Sequence, residues 1–142
     1  MKRTTRSVLS LAVIGLLLSG CSQVSNAAPK EEAITIEEQA SGLKQLTLSA
    51  KAAERLGIAT APVAAAGSGL TMPYAALIYD SQGDTWAYGN PEPLVFLRES
   101  VVVDRIDGDT VLISTGPPSG TAVVTTGAAE LYGAEIGVGG GH

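Results

Sequence analysis

The residues of this 142-residue chain that could do chemistry are few, and their spacing limits what that chemistry is. The one cysteine, Cys21, excludes an internal disulfide and any multi-thiolate zinc or iron–sulfur centre. The one histidine, His142, is the last residue, which leaves no internal imidazole base, no catalytic triad and no His-rich metal centre. Asp104, Asp107 and Asp109 flank a tight turn and could together hold Ca²⁺ weakly. Asp-Gly turn chemistry accounts for Asp107 without an ion, however, so no metal and no cofactor are assigned. Gly137–Gly141 opens no helix and follows no phosphate-loop pattern. Tyr79, Trp86 and Tyr88 lie near a hairpin, with Trp86 and Tyr88 on one face by alternation. They form either a cross-strand core cluster or, where that face is open, a partner-binding surface. Arg98, Glu99, Arg105 and Glu54 are read as surface ion pairs, typically worth about 0–1 kcal/mol. This inventory describes a protein that is not an enzyme.

Composition agrees. Apolar residues make up 45% of the chain and charged residues 16%, a mix suited to one globular domain. Nine Lys and Arg stand against fourteen Asp and Glu. Three of the basic residues, Lys2, Arg3 and Arg6, lie in the first six positions, so the remainder is still more acidic. Such a chain repels phosphates, and nucleic acid is excluded as a partner.

Behind that basic start, Val8–Leu18 carries no charge and only Ser10 as a polar interruption. The run is too short to cross a bilayer, which needs about 20 apolar residues, and has the size of a signal-peptide core. It ends in Leu18-Ser19-Gly20-Cys21, which resembles the lipobox of bacterial lipoproteins. The resemblance implies that Leu18, Ser19 and Gly20 enter the signal peptidase. The Cys21 thiol takes a diacylglycerol, and residues 1–20 are removed. Two or three acyl chains on one cysteine hold a protein on a membrane durably, where a single chain holds it only marginally. The expected location is extracytoplasmic and lipid-anchored to the cell membrane, or to the outer membrane where the host has one.

Residues 21–42 read as the lipidated cysteine and a flexible tether, with Pro29 and the acidic pairs Glu31-Glu32 and Glu37-Glu38. A tether of this length reaches about 25 Å. Folded character begins at Leu43. Leu46 and Leu48 alternate with polar neighbours, as in a strand. Ser49 is a helix N-cap, Ala50–Leu56 is made of helix formers, and Gly57 supplies the stop. Ile58–Val63 is extended, and Ala64–Gly69 reads as a flexible stretch. Strands are expected at 74–79, 85–88, 94–98, 100–106, 111–114 and 122–125. Turns fall at 80–84, 90–93, Asp107-Gly108 and 116–120, and one helical turn at 128–132. The expectation is a mainly β domain over 43–137, barrel- or sandwich-like, with about six short strands and one short helix. A Gly-rich tail follows over 138–142.

Leu46-Thr47-Leu48-Ser49 followed by Ala53–Val63 resembles the opening segment of the periplasmic adaptor subunits of RND-type efflux pumps, the membrane fusion proteins. Met72–Ile78 is similar to that family's Val-Pro-x-x-Ala-Leu segment. Asp80–Tyr88, Val95–Val103, Ile106–Ile113, Pro118–Gly127 and residues 133–135 follow in the family's order. The resemblance implies the membrane-proximal β domain of an adaptor. It departs from the family in one respect: adaptors place a β-barrel, a lipoyl-like domain and usually a helical hairpin between the two segments. Here Val63 and Tyr74 are separated by only ten residues, 64–73, and no heptad pattern exists for a hairpin. The resemblance therefore implies an isolated membrane-proximal domain, an accessory or interaction subunit of a transmembrane transport system. The alternative is a lipoprotein module that binds a small ligand or metal ion and has no connection to efflux. The oligomeric state is left open.

Overall fold

The computed structural model describes residues 32–138. The fold is mainly β, as the sequence predicts, but with eleven strands in place of six and a second helix. The first sheet joins β1 (Ile34–Glu38), β2 (Lys44–Leu48), β8 (Val95–Ser100), β7 (Thr85–Glu92), β11 (Ala122–Thr126) and β3 (Ala59–Pro62), in that order, with β6 (Ile78–Tyr79) also on β7. The second sheet runs β4 (Ala64–Ala66), β5 (Gly69–Pro73), β10 (Thr110–Thr115), β9 (Val102–Asp107). Every pairing is antiparallel.

Two helices cover the first sheet. In α1 (Ala50–Leu56), the Ser49 hydroxyl accepts from the Ala52 N–H at 3.2 Å, and Gly57 closes the helix at φ 62°. The Gly57 and Ile58 N–H groups bond back to Glu54 and Ala53, a Schellman ending. The second helix, α2 (Ala128–Glu135), closes in the same way at Gly137 (φ 79°), with Gly137 bonding to Ala134 and Val138 to Gly133. That ending explains why it extends past the single turn expected over 128–132.

The centre of the first sheet is buried on both faces. On one, Leu46, Leu48, Tyr88, Phe96 and Val124 pack with Ala52 of α1 and Ala128 and Leu131 of α2. On the other, Ala87 and Val123 pack with Met72, Val111 and Ile113 of the second sheet. The layers are therefore helices, sheet, sheet. This is why neighbours such as Val123 and Val124 are both fully buried. Each large apolar side chain so enclosed contributes about 2 kcal/mol.

Two buried valines make the corners between sheets. Val63 lies between β3 and β4 and is 1% exposed; its N–H donates to the Thr121 carbonyl at 2.9 Å, and its carbonyl accepts from Gly120 at 2.8 Å. Val101 lies between β8 and β9, and its N–H donates to the Thr85 carbonyl at 2.9 Å. The stretch 94–106 is thus one bent path serving both sheets.

Four expectations about segments are corrected. Residues 34–38 are no tether: Ile34 to Glu38 pair with Leu48 to Lys44, in register, along the edge of the first sheet. Residues 64–69 are no flexible stretch: Ala66 pairs with Gly69 across Gly67-Ser68, with Gly67 at φ 60° as in a type II′ hairpin. Residues 74–79 are a single 3-10 turn (Tyr74–Ala76) and then β6, not one strand. The expected 107–108 turn shifts by one residue, since Asp107 pairs with Thr110 and the two turn residues are Gly108 and Asp109.

Candidate functional site

The polar centre of the domain lies between the first sheet and the end of α2. Tyr88 of β7 and Arg98 of β8 are direct cross-strand partners. Both reach Glu135 in the last turn of α2: the Tyr88 hydroxyl donates to Glu135 Oε2, and Arg98 Nη2 stands 3.1 Å from Glu135 Oε1. The Glu135 side chain is only 4% exposed and that of Arg98 17%. Lys44 of β2 donates from Nζ to the Glu135 carbonyl at 2.9 Å, placing a cation where the helix dipole is negative. The Arg98 guanidinium lies 4.3 Å above the Trp86 ring and 5.6 Å from that of Tyr132, both favourable cation–π placements.

The network continues outward through Trp86. Its indole N–H donates to Asp80 Oδ2 at 3.0 Å, while Asp80 Oδ1 accepts from the Gln82 and Asp84 N–H groups at 2.9 Å each. Partial desolvation pushes the Asp80 pKa up, but the indole and the loop N–H groups together outweigh it and hold the carboxyl below its ordinary value. Burial, and then the hydrogen bond and charge of Glu135, push the Tyr88 phenol far above its ordinary value, so it remains a neutral donor.

Of the two alternatives for the aromatic trio, the geometry places two of its members in the core cluster. Tyr88 is fully buried and Trp86 half-buried beneath Arg98, so both belong to the core cluster that their alternation also allowed. Tyr79 alone is open, at 50% exposure, and stands beside Tyr74 rather than with the other two. Desolvation and then the charge of, and hydrogen bond to, Tyr74 raise its pKa. Arg98 is no surface ion-pair residue either. By alternation it shares a face with Phe96, which is 2% exposed, and that signal was present in the sequence. Nothing local in the sequence marks Glu135, Tyr132 or Lys44 as its companions.

Asp104, Asp107 and Asp109 are exposed, and among the described residues no group of three or more His, Cys, Asp or Glu is placed to hold a metal ion. Leu18, Ser19, Gly20, Cys21 and His142 lie outside the described residues. Among the described residues no helix is long and apolar enough to cross a membrane.

An open cleft of about 890 Å³ lies between β1 and α2. Ile34, Ile36, Leu56, Ala134 and Val138 supply its apolar walls, with Glu32 and Glu130 among its lining. Ile36 is 42% and Val138 66% exposed. No sequence signal pointed to it, because β1 itself was read as tether. The Glu135 network, by contrast, is turned inward and fixes the helix to the sheet, with Arg98 Nε left buried without a partner among the described residues.

Compared with protein-family models, with curated proteins and with solved structures, the chain matches none.

Proposed function

We propose that this chain is a non-enzymatic bacterial lipoprotein, held at the extracytoplasmic membrane surface by an acylated Cys21. Its β domain acts as an accessory or interaction subunit of a transmembrane transport system, in the manner of an isolated membrane-proximal domain of an RND efflux adaptor. The observation that carries the reading is the way the two adaptor-like segments come together. Residues 44–62 and 78–126 contribute interleaved strands to one sheet, and the ten residues between the segments are taken up by β4, the turn at Gly67 and β5. A domain that the resemblance says is normally interrupted is thereby closed without an insertion. Anchoring confines it to the membrane and raises its effective concentration near a membrane partner.

The test is a crosslinking pull-down from intact membranes, comparing wild type with Cys21→Ala. Recovery of an RND-type or other transport protein with wild type, lost with the variant, is the expected result. A membrane-bound wild type that captures no transport protein overturns the transport connection.

The apolar cleft between β1 and α2 favours a second reading, a lipoprotein module that binds a small ligand. Its volume lies within the range of about 300–1,000 Å³ typical of small-molecule sites.

A further inference from the structure

We infer that the cleft between β1 and α2 is a binding site for a lipophilic organic cation. The inference deepens the second reading above and needs no membrane anchor.

Two features of the lining carry it. The first is apolarity in a place that water should not favour. Ile34 turns partly into the core beneath α1 and α2, but Ile36, two residues further along the same face of the edge strand, is 42% exposed. On the far wall Ala134 and Val138 continue the apolar surface, and Val138 is held there by its N–H bond to Gly133 at 2.9 Å. The Schellman ending of α2 thus fixes an exposed valine opposite an exposed isoleucine. An apolar lining inside a concavity of this size is the usual setting of a small-molecule site.

The second feature is the sign of its charge. Glu32 and Glu130 are the titratable residues lining the cleft, and among the described residues no Lys, Arg or His joins them. Both are exposed, and among the described residues neither forms an ion pair, unlike Glu135. An apolar body enters favourably by losing its water-exposed surface, at about 25 cal/mol per Å². A positive centre on that body is attracted by both carboxylates, and a negative one is repelled by both. Even at the dielectric of bulk water, one charge a few ångströms from another changes affinity roughly fivefold. Two carboxylates therefore discriminate between a cation and an anion of the same shape, while the walls bind either.

Tetraphenylphosphonium and tetraphenylborate are such a matched pair. Equilibrium dialysis of the full chain against each, at low ionic strength, tests the inference. The expected result is tighter binding of the phosphonium by about tenfold or more. Glu32→Gln with Glu130→Gln should abolish that preference while leaving a common residual affinity for both probes. Ala134→Trp, which puts a bulky ring on the cleft wall, should weaken binding of both. Ile36→Ala, at an exposed position that leaves the core intact, should weaken both probes equally and keep the preference. Equal binding of the two probes by wild type, or a preference for the borate, overturns the cation assignment while leaving a ligand-binding module. Phosphonium binding left unweakened by both Ala134→Trp and Ile36→Ala overturns the site. Binding of neither probe overturns the inference and removes the support for the second reading.

Discussion

Tyr88 and Arg98 face each other across β7 and β8 and converge on one carboxylate, Glu135, carried by α2. Two strand positions and one helix position are thus tied at a single buried point, which fixes the roll of the helix on the sheet. The arrangement is specific because each group needs the others. Glu135 without Arg98 is a buried charge, and Tyr88 without Glu135 is a buried hydroxyl lacking its acceptor.

That mutual need predicts strong non-additivity. Arg98→Met should cost about 3 kcal/mol, because it strands Glu135 in a site where only 4% of its side chain meets solvent. Glu135→Leu should also destabilise, leaving Arg98 and the Tyr88 hydroxyl unpaired. The double variant should cost less than the two singles together, with a coupling of about 1.5 kcal/mol or more. Denaturant unfolding of the four proteins measures this. Additive costs, or an Arg98→Met cost under about 0.5 kcal/mol, would show that the pair does not hold the helix.

Glu99 presents the opposite case, a carboxylate placed where it gains nothing. It stands opposite Ala87, on the face of β7 that packs toward the second sheet, and its Oε1 would lie 2.5 Å from a Cβ added at Gly89. Burial raises its pKa. The native state therefore holds this proton to higher pH than the unfolded chain does, and stability falls as pH rises from the ordinary value of 4.5 through the raised one. Glu99→Gln keeps the shape and removes the charge. Its Tm at pH 7 should equal or exceed that of wild type, and the difference should shrink as the pH is lowered toward 4.5. A variant clearly less stable than wild type at pH 7 would mean that the carboxylate has a favourable partner.

How much of this could be read from the sequence depends on how local each signal was. Ser49 and Gly57 bracket α1 in seven residues, and their chemistry is complete in itself, so the helix was legible to the residue. The strand at Ile34–Glu38 was not, because its alternating isoleucines sit among acidic pairs that also suit a solvated tether, and only pairing with β2 decides between them. Asn90-Pro91 read as a loop, yet β7 runs through it. Proline is accommodated there because the register with β8 shifts between Gly89 and Glu92. In the polar centre, the inward face of Arg98 was legible from Phe96. Its partner was not, since Glu135 lies on a helix whose sequence distance to Tyr88 is 47 residues. A contact of that kind is set by the docking of α2, which no spacing rule encodes.

The outermost link of the network should report on pH through light. Trp86 is the only tryptophan in the chain, and its indole N–H rests on Asp80. Because the Asp80 pKa is held below 3.8, its favourable contribution is complete above that value and is lost as pH falls through the depressed one. Protonation removes the negative acceptor from the indole and weakens the loop that Asp80 gathers through Gln82 and Asp84. Trp86 emission in wild type should therefore be flat from pH 7 to 4 and change with a midpoint below 3.8. Asp80→Asn should lack that step and show an altered emission already at neutral pH. Far-ultraviolet circular dichroism recorded alongside separates this local event from unfolding, since the sheet signal should persist through the fluorescence step. A wild-type midpoint at or above 3.8, or an identical step in Asp80→Asn, would mean that another group governs the indole.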